Sequence, residues 1–271
     1  MYESFFGLKE APFNVTPDPR FIYLSRHHLE ALSTLLYGIE SRRGFIEITG
    51  EIGAGKTTLC RTLLKELEGR VKSAFIFNPK LSQVELLQTI VEDLGIEPPG
   101  KRRKDYFDAL NQFLLAELEK GNNAVLIIDE AQNLSPGALE QVRLLSNLET
   151  TREKLLQIIL VGQPELRALL ARPDLEQLRQ RIAIRYHLPS LSREETGKYI
   201  AHRLGVAGSD PEVSFFTPEA LEKIYEHSGG IPRLINVLAD RALLAAYVKG
   251  TRMVEAALVE EAQMDLEGIK V

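Results

Sequence analysis

Short apolar runs alternate with amphipathic segments along the chain up to about residue 190. The apolar runs predict strands at residues 45–49, 73–77, 124–128, 157–161 and 184–188. Segments with apolar residues at helical spacing predict helices at residues 26–41, 56–67, 83–94, 106–119 and 137–148. Short buried strands separated by helices are typical of a parallel sheet covered on both faces. The pattern therefore predicts an α/β fold with a five-stranded parallel sheet flanked by helices.

The alternation stops near Pro189, and only helical patterns follow it. Ser192 and Thr217 are hydroxyl residues of the kind that cap the first turn of a helix. Pro232 can occupy the first position of a third helix, which the pattern extends to about residue 248. Residues 254–265 predict a fourth, short helix. The end of the chain is therefore expected to be all-helical.

This change of pattern divides the chain into expected domains. Residues 41–190 are expected to form the α/β core, and residues 191–271 a small helical lid domain. Residues 1–40 are interpreted as a linker and first helix that belong to the core.

Composition restricts the class of protein. The 271 residues are 44% apolar and 26% charged, which is ordinary for a globular protein. A net charge of −5 argues against a protein that coats nucleic acid nonspecifically, although a local basic patch remains compatible with it. The single cysteine, Cys60, cannot form an intramolecular disulfide and favours a reducing compartment. Neither a secretion signal nor a run of about 18 apolar residues is visible, which favours a cytoplasmic location.

A phosphate-binding loop follows the first predicted strand. Its residues, Gly50-Glu51-Ile52-Gly53-Ala54-Gly55-Lys56-Thr57, match the pattern G-x-x-x-x-G-K-[ST] in full, and Thr58 continues into the predicted helix. Glycines let backbone N–H groups converge on phosphate oxygens, and the helix N-terminus adds partial positive charge. Lys56 would place a charge on the outer phosphates, and the Thr57 hydroxyl would coordinate Mg²⁺. The loop predicts binding of ATP with Mg²⁺.

Two adjacent carboxylates end the third predicted strand. The apolar residues 125–128 run directly into Asp129 and Glu130. Asp129 would orient Mg²⁺, directly or through its water, and Glu130 would act as the general base on the attacking water. The pair therefore predicts ATP hydrolysis. The spelling Asp-Glu-Ala-Gln also occurs in two-lobed helicases, but the residues after Pro189 cannot build a second ATPase lobe.

Four consecutive cations, Lys101 to Lys104, follow Pro98-Pro99-Gly100 in what reads as a loop. The run can contact DNA or an anionic membrane, or it can be a solvated loop without a partner. An oligomeric ring would multiply a weak contact of this kind by its subunit number.

Several segments together resemble the AAA+ ATPase module of the ExeA/GspA-type bacterial secretion ATPases. The opening Met1-Tyr2-Glu3-Ser4-Phe5-Phe6-Gly7-Leu8 is similar to the start of that family, and so are residues 12–25 and 27–38. Further matches are Asp129-Glu130-Ala131-Gln132-Asn133-Leu134, residues 161–166, Gln180-Arg181-Ile182 and Gly229-Gly230-Ile231-Pro232-Arg233. The resemblance covers nearly the whole chain, and the transposition-helper ATPases share much of the same core.

The resemblance implies further site residues. Gln163 occupies the sensor-1 place, where a polar side chain helps to position the attacking water. Arg181 aligns with the arginine finger that reaches the ATP of a neighbouring subunit, with Arg179 and Arg185 as nearby competitors. Arg233 lies in the sensor-2 motif and would contact the γ-phosphate from the lid. Residues 13–23 resemble the linker that packs near the adenine.

The resemblance leaves two biological roles open. The first is a homo-oligomeric ATPase that energises assembly of cell-envelope secretion, pilus or exopolysaccharide machinery, in the cytoplasm or at the cytoplasmic face of the inner membrane. Its partners would be protein components of that machinery. The second is a DNA-binding regulator of the transposition-helper type, for which the run Lys101 to Lys104 would supply a nucleic-acid contact. A nucleotide-gated switch with negligible turnover is a third interpretation.

Overall fold

A computed structural model describes residues 1–14, 18–77, 79–210, 213–266 and 268. The strands are β1 (Phe45–Gly50), β2 (Val71–Ile76), β3 (Asn123–Ile128), β4 (Gln157–Gly162) and β5 (Ile182–Leu188). The first helices are α1 (Tyr2–Phe6), α2 (Arg26–Glu40), α3 (Lys56–Leu67), α4 (Gln83–Asp93), α5 (Arg103–Glu119) and α6 (Pro136–Leu145). The remaining helices are α7 (Glu165–Leu170), α8 (Glu176–Gln180), α9 (Arg193–Val206), α10 (Pro218–Ser228), α11 (Pro232–Val248) and α12 (Ala256–Leu266).

The chain divides into two compact units. The helical unit comprises Met1–His27, Glu51–Thr58 and Pro189–Val271, and the core unit comprises His28–Gly50 and Leu59–Leu188. The break at Pro189 coincides with the change in sequence pattern. Residues 1–27 group with the helical unit, although the sequence pattern assigns residues 1–40 to the core. The physical reason is that apolar residues of the N-terminal segment, among them Phe6 and Phe13, are buried with those of α9, α10 and α11.

The core unit contains one five-stranded parallel sheet with the order β2-β3-β4-β1-β5. One face buries apolar residues of α4, α5 and α6, and the other buries those of α2 and α3. Every residue of β1 and β4 is buried, because both strands have neighbours on each side and helices above and below. All five predicted strands are therefore confirmed, together with the two helical layers. Cys60 is buried in the second layer.

The helical unit owes its helix boundaries to local capping. Ser192 and Glu195 form a reciprocal capping box at the start of α9, and the Thr217 side chain accepts a hydrogen bond from Ala220 N at the start of α10. Both caps were expected from the sequence. Gly229 ends α10 in the left-handed conformation, with φ 56°, and Pro232 begins α11.

A buried arginine fastens the N-terminal segment inside the helical unit. Arg203 of α9 donates to Pro12 O at 2.6 Å, to Asn14 O at 3.1 Å and to the Tyr199 hydroxyl at 3.0 Å. Its guanidinium also lies 4.9 Å from the centre of the Phe21 ring. Residues 15–17, part of the linker expected near the adenine, lie outside the described residues.

The basic run is only partly a loop, which corrects the sequence-based expectation. Arg103 and Lys104 belong to the first turn of α5, and Arg102 is its N-cap residue. Arg102 donates to Asp105, and this hydrogen bond holds the pKa of Asp105 below its ordinary value. Arg103 donates to Gln141 at 2.9 Å. The helix begins here because the Arg102–Asp105 pairing closes its first turn. Of the four cations, only Lys101 and Lys104 have side chains without a recorded hydrogen bond or ion pair among the described residues.

Candidate functional site

The phosphate-binding loop has the backbone that its glycines predict. Gly53 and Gly55 are in the left-handed region, with φ 82° and φ 97°, which favours glycine over residues with a Cβ. The Lys56 ammonium turns back and donates to Glu51 O at 2.8 Å, and Lys56 is 5% exposed. Lys56, Thr57 and Thr58 are the first residues of α3, so the loop ends at the N-terminus of a 12-residue helix. The geometry fits an anion held by backbone N–H groups.

Arg233, predicted as the sensor-2 arginine, packs directly on this loop within the helical unit. Arg233 N donates to Gly53 O at 3.4 Å. A Cβ built at Gly53 would lie 2.6 Å from Arg233 Cβ and 3.3 Å from Ile231 Cγ2. Arg233 is exposed at the second position of α11, and no ion pair of its guanidinium is recorded among the described residues.

Gly229 and Gly230, which precede Arg233, are glycines for different structural reasons. Gly229 caps α10, whereas a Cβ at Gly230 would lie 1.9 Å from Leu191 O. Gly230 O also accepts a hydrogen bond from Leu191 N at 2.9 Å. The backbone of residue 230 therefore has to touch the backbone of residue 191, and this contact fixes where α11 begins.

In the core unit, the acidic pair stands at the end of β3. Asp129 is 3% exposed, and its Oδ1 accepts from Glu130 N at 2.9 Å. Glu130 has φ 51°, a left-handed conformation that non-glycine residues adopt rarely. Backbone strain of this kind is characteristic of functional positions.

Two amide side chains converge on Glu130. Gln163, which follows β4, donates to Glu130 Oε2 at 3.0 Å, and Gln132 donates to the same oxygen at 2.6 Å. Sequence reasoning places Gln163 here but misses Gln132. The motif that includes Gln132 is visible in the sequence, but the hydrogen bond from its side chain to Glu130 is not.

The three arginines that compete for the finger role differ in their partners. Arg181 donates from Nη1 to Asn147 Oδ1 at 2.6 Å and to Ser146 Oγ at 2.5 Å, both neutral groups. Arg185 is held by the Glu47 carboxylate, with Nε at 3.1 Å from Oε2. Arg179 is exposed, and none of the described residues forms a recorded ion pair with it. Releasing Arg185 would leave a buried charge, whereas Arg181 can exchange neutral hydrogen bonds for new ones.

Glu47 is a buried carboxylate in the middle of β1, which sequence reasoning also missed. Its side chain is 3% exposed, and Arg185 of β5 and Arg167 of α7 are its ion-pair partners. Oε1 has no hydrogen bond among the described residues, and Arg167 Nε lies 3.7 Å from it. The sequence signal that could have identified Glu47 is an acidic residue inside an otherwise apolar strand. Through these two ion pairs, Glu47 connects β1 with α7, which follows Gln163, and with β5, which follows Arg181.

Oxygen is the donor atom on both residues that the sequence predicts as metal ligands. Thr57 offers a hydroxyl and Asp129 a carboxylate, and hard oxygen ligands are those that Mg²⁺ prefers. Among the described residues, no group of three or more His, Cys, Asp or Glu side chains could hold a metal by itself.

Comparisons with known proteins now place the chain in a family. Residues 39–170 match the family model described as an AAA domain. The chain is 46% identical over its whole length to the general secretion pathway protein A of Aeromonas hydrophila, and it covers 49% of that protein. The chain belongs to the AAA+ family, as a module of the ExeA/GspA type. The resemblance seen in the sequence is thereby confirmed.

Solved AAA+ structures confirm the fold. The ORC2 protein of Aeropyrum pernix, in ADPNP and ADP complexes, is 24% identical with a TM-score of 0.68, over 94% of this chain and 71% of that one. A structure of Drosophila ORC bound to DNA has a TM-score of 0.72 at 17% identity, over 94% of this chain and 64% of that one. The AAA+ module spans about half the length of the curated relatives it matches. None of its described helices is both long and apolar enough to cross a membrane.

Proposed function

We propose that this AAA+ module binds ATP with Mg²⁺ and hydrolyses it as an oligomer, to energise assembly of cell-envelope secretion, pilus or exopolysaccharide machinery. The observation that carries the proposal is the Glu130 carboxylate, which two amides orient at the end of β3. A solvated acid at a strand end needs no such restraint, whereas a general base does.

Nucleotide binding is assigned to the phosphate-binding loop. Backbone N–H groups of residues 50–55 would surround the phosphates, and Lys56 would exchange Glu51 O for a phosphate oxygen. Thr57 and Asp129 would hold Mg²⁺, and Thr58 continues the first turn of α3. Bound Mg²⁺ neutralises charge on the phosphate oxygens. Arg233, which already packs on Gly53, would add its charge at the outer phosphate.

Hydrolysis is assigned to residues at the ends of β3 and β4. Glu130 would accept the proton of the attacking water at Oε1, which carries no recorded hydrogen bond from the described residues. Gln163 would hold Oε2 and thereby fix the direction of Oε1. Arg181 would act on the ATP of a neighbouring subunit, which makes turnover depend on self-association.

The envelope role is taken from the name of the relative from Aeromonas hydrophila, a general secretion pathway protein. We propose protein components of such machinery as its partners, and a place in the cytoplasm or at the cytoplasmic face of the inner membrane.

A DNA-binding regulator is the second candidate function. The exposed side chains of Lys101 and Lys104, without a recorded ion pair among the described residues, favour it. Contacts of this kind would be strongly salt-dependent, because each neutralised phosphate releases counterions.

The test is ATP turnover per subunit against protein concentration, with and without duplex DNA. We expect a rate that rises with concentration, requires Arg181 and Glu130, and ignores DNA. Strong stimulation by DNA would support the regulator instead. Absence of turnover at every concentration would overturn hydrolysis and leave a nucleotide-gated switch, whereas a concentration-independent rate would overturn the oligomeric site.

A further inference from the structure

Gln132 takes part in a closed set of hydrogen bonds around Glu130. Its Nε2 donates to Glu130 Oε2 at 2.6 Å, and its Oε1 accepts from Gln163 N at 3.1 Å. Gln163 Nε2 completes the set by donating to Glu130 Oε2 at 3.0 Å. Gln132 therefore connects the carboxylate at the end of β3 with the backbone that follows β4.

This arrangement leaves one orientation for the Gln132 amide. If the amide were flipped, its oxygen would face the Glu130 carboxylate and its NH₂ group would face the N–H of Gln163. Both contacts would be repulsive. The donor to Glu130 is therefore fixed by the backbone of Gln163, and no other side chain is needed to orient it.

Gly162, the last residue of β4, leaves room for this side chain. A Cβ at residue 162 would lie 2.7 Å from Gln132 Oε1 and 2.9 Å from Leu166 Cδ2. The φ of Gly162 is not in the left-handed region, so space is the reason for glycine here. The strand end and the amide thus fit each other closely.

We infer that Gln132 is a positioning residue for ATP hydrolysis, and that Gly162 provides its seat. Two donors on Oε2 keep the carboxylate from rotating about its terminal torsion and direct Oε1 toward the attacking water. A single donor would leave that torsion broad. Because Gln132 also contacts the backbone at Gln163, a shift of that backbone is passed to the base. This inference rests on the proposed ATPase function.

The experiment compares Gln132→Met, which keeps the length of the side chain but removes its hydrogen bonds, with the unchanged chain. We expect kcat to fall by about 100-fold, the loss that a misplaced catalytic group produces, while the Kd for ATP changes by less than about twofold. Gly162→Ala should give the same pattern with Gln132 still present. Unchanged kcat in Gln132→Met would overturn the inference.

A double-mutant cycle with Glu130→Gln separates positioning from a general structural role. If Gln132 acts through Glu130, Gln132→Met should change the residual turnover of the Glu130→Gln variant by less than about twofold. An equal loss in both backgrounds would contradict the inference. Normal turnover by Glu130→Gln itself would instead overturn the base assignment on which the inference rests.

Gln157→Met is the matched control for folding. Gln157 is a fully buried glutamine at the other end of β4, where its Oε1 accepts from Gly44 N at 2.8 Å. Its replacement should lower the thermal midpoint and spare kcat per folded subunit. Gln132→Met should instead lower kcat and leave the thermal midpoint nearly unchanged. If kcat of Gln132→Met fell only in proportion to a lowered thermal midpoint, that would count against a positioning role.

Discussion

Gly53 and Arg233 pack so closely that a Cβ at residue 53 would lie 2.6 Å from Arg233 Cβ. The contact brings Arg233 onto the phosphate-binding loop, and no side chain of the loop takes part in it. Two constraints therefore favour glycine at residue 53: its φ of 82° and the close contact with Arg233.

The first prediction concerns Gly53→Ala. The methyl group would push Arg233 away from the loop and strain the backbone, so we expect the Kd for ATP to rise by about tenfold or more. Titration calorimetry with an ATP analogue that resists hydrolysis measures this. Gly69→Ala is the control, since Gly69 has φ 75° and nothing within 4 Å of its Cβ position. It should cost about 1 kcal/mol of stability and leave ATP affinity unchanged. Equal effects of the two variants on affinity would contradict the contact.

The second prediction concerns the finger. Arg181→Ala and Glu130→Gln should each be nearly inactive, but a 1:1 mixture should recover about a quarter of the unmodified rate. Half of the subunits then keep Glu130, and half of their neighbours supply Arg181. The measurement is phosphate release after mixing and reassembly.

Arg179→Ala serves as the control for this mixture. The Arg179 side chain has no recorded hydrogen bond or ion pair with the described residues. Its backbone oxygen accepts from Arg185 at 2.8 Å, and alanine keeps that oxygen. Near-normal turnover is therefore expected. A mixture that stays inactive would show that Arg181 does not act across a subunit boundary.

The third prediction concerns the buried acid. Arg185→Ala leaves the Glu47 carboxylate with only the distant Arg167, and we expect a loss of about 2 kcal/mol in the free energy of unfolding. Arg172→Ala is the matched control, because Arg172 is similarly exposed but pairs with Asp174, whose side chain is 54% exposed. Its loss should stay below about 1 kcal/mol. Urea unfolding compares the two variants, and equal losses would mean that burial of Glu47 contributes nothing.

The fourth prediction concerns the N-terminal segment. Arg203→Ala removes the hydrogen bonds to Pro12 O and Asn14 O and leaves both oxygens without that donor. We expect a loss of about 3 kcal/mol, since the donor is charged, the bond to Pro12 O is buried and the bond to Asn14 O is partly buried. Arg20→Ala is the control, because the Arg20 side chain is 60% exposed and pairs with Glu10 and Asp18 at the surface. A comparable loss in both, measured by thermal unfolding, would contradict the anchoring role.

The apolar runs were enough to predict the sheet, because strands that are buried on both faces consist mostly of apolar residues. β1, β3 and β4 agree with prediction to within one residue at each end. The start of α5 was missed by three residues, at Arg103 instead of residue 106, since the Arg102–Asp105 pairing extends the helix into a basic run. Helix α6 ends at Leu145 rather than at residue 148, where apolar spacing continues after the helical hydrogen bonds stop.

In the candidate site, the backbone conformation of the motifs could be predicted from the sequence. The contacts between side chains that are distant in the sequence could not. Gly53 and Gly55 have the conformations that their pattern requires. The partnership of Gln132 with Glu130 depends on a side-chain rotamer and on the missing Cβ of Gly162, which no spacing in the sequence records. The partners of Arg181 are 34 and 35 residues away along the chain, and only folding brings them together.

Glu47 and its arginines have a consequence for how such a sequence can diverge. A buried carboxylate without a cation is costly, whereas an apolar pair of similar volume is tolerated. Replacement of Arg185 alone therefore passes through a destabilised intermediate, because the Glu47 carboxylate stays buried, while a joint replacement does not. Relatives that lack the arginine at residue 185 should accordingly also lack the acid at residue 47.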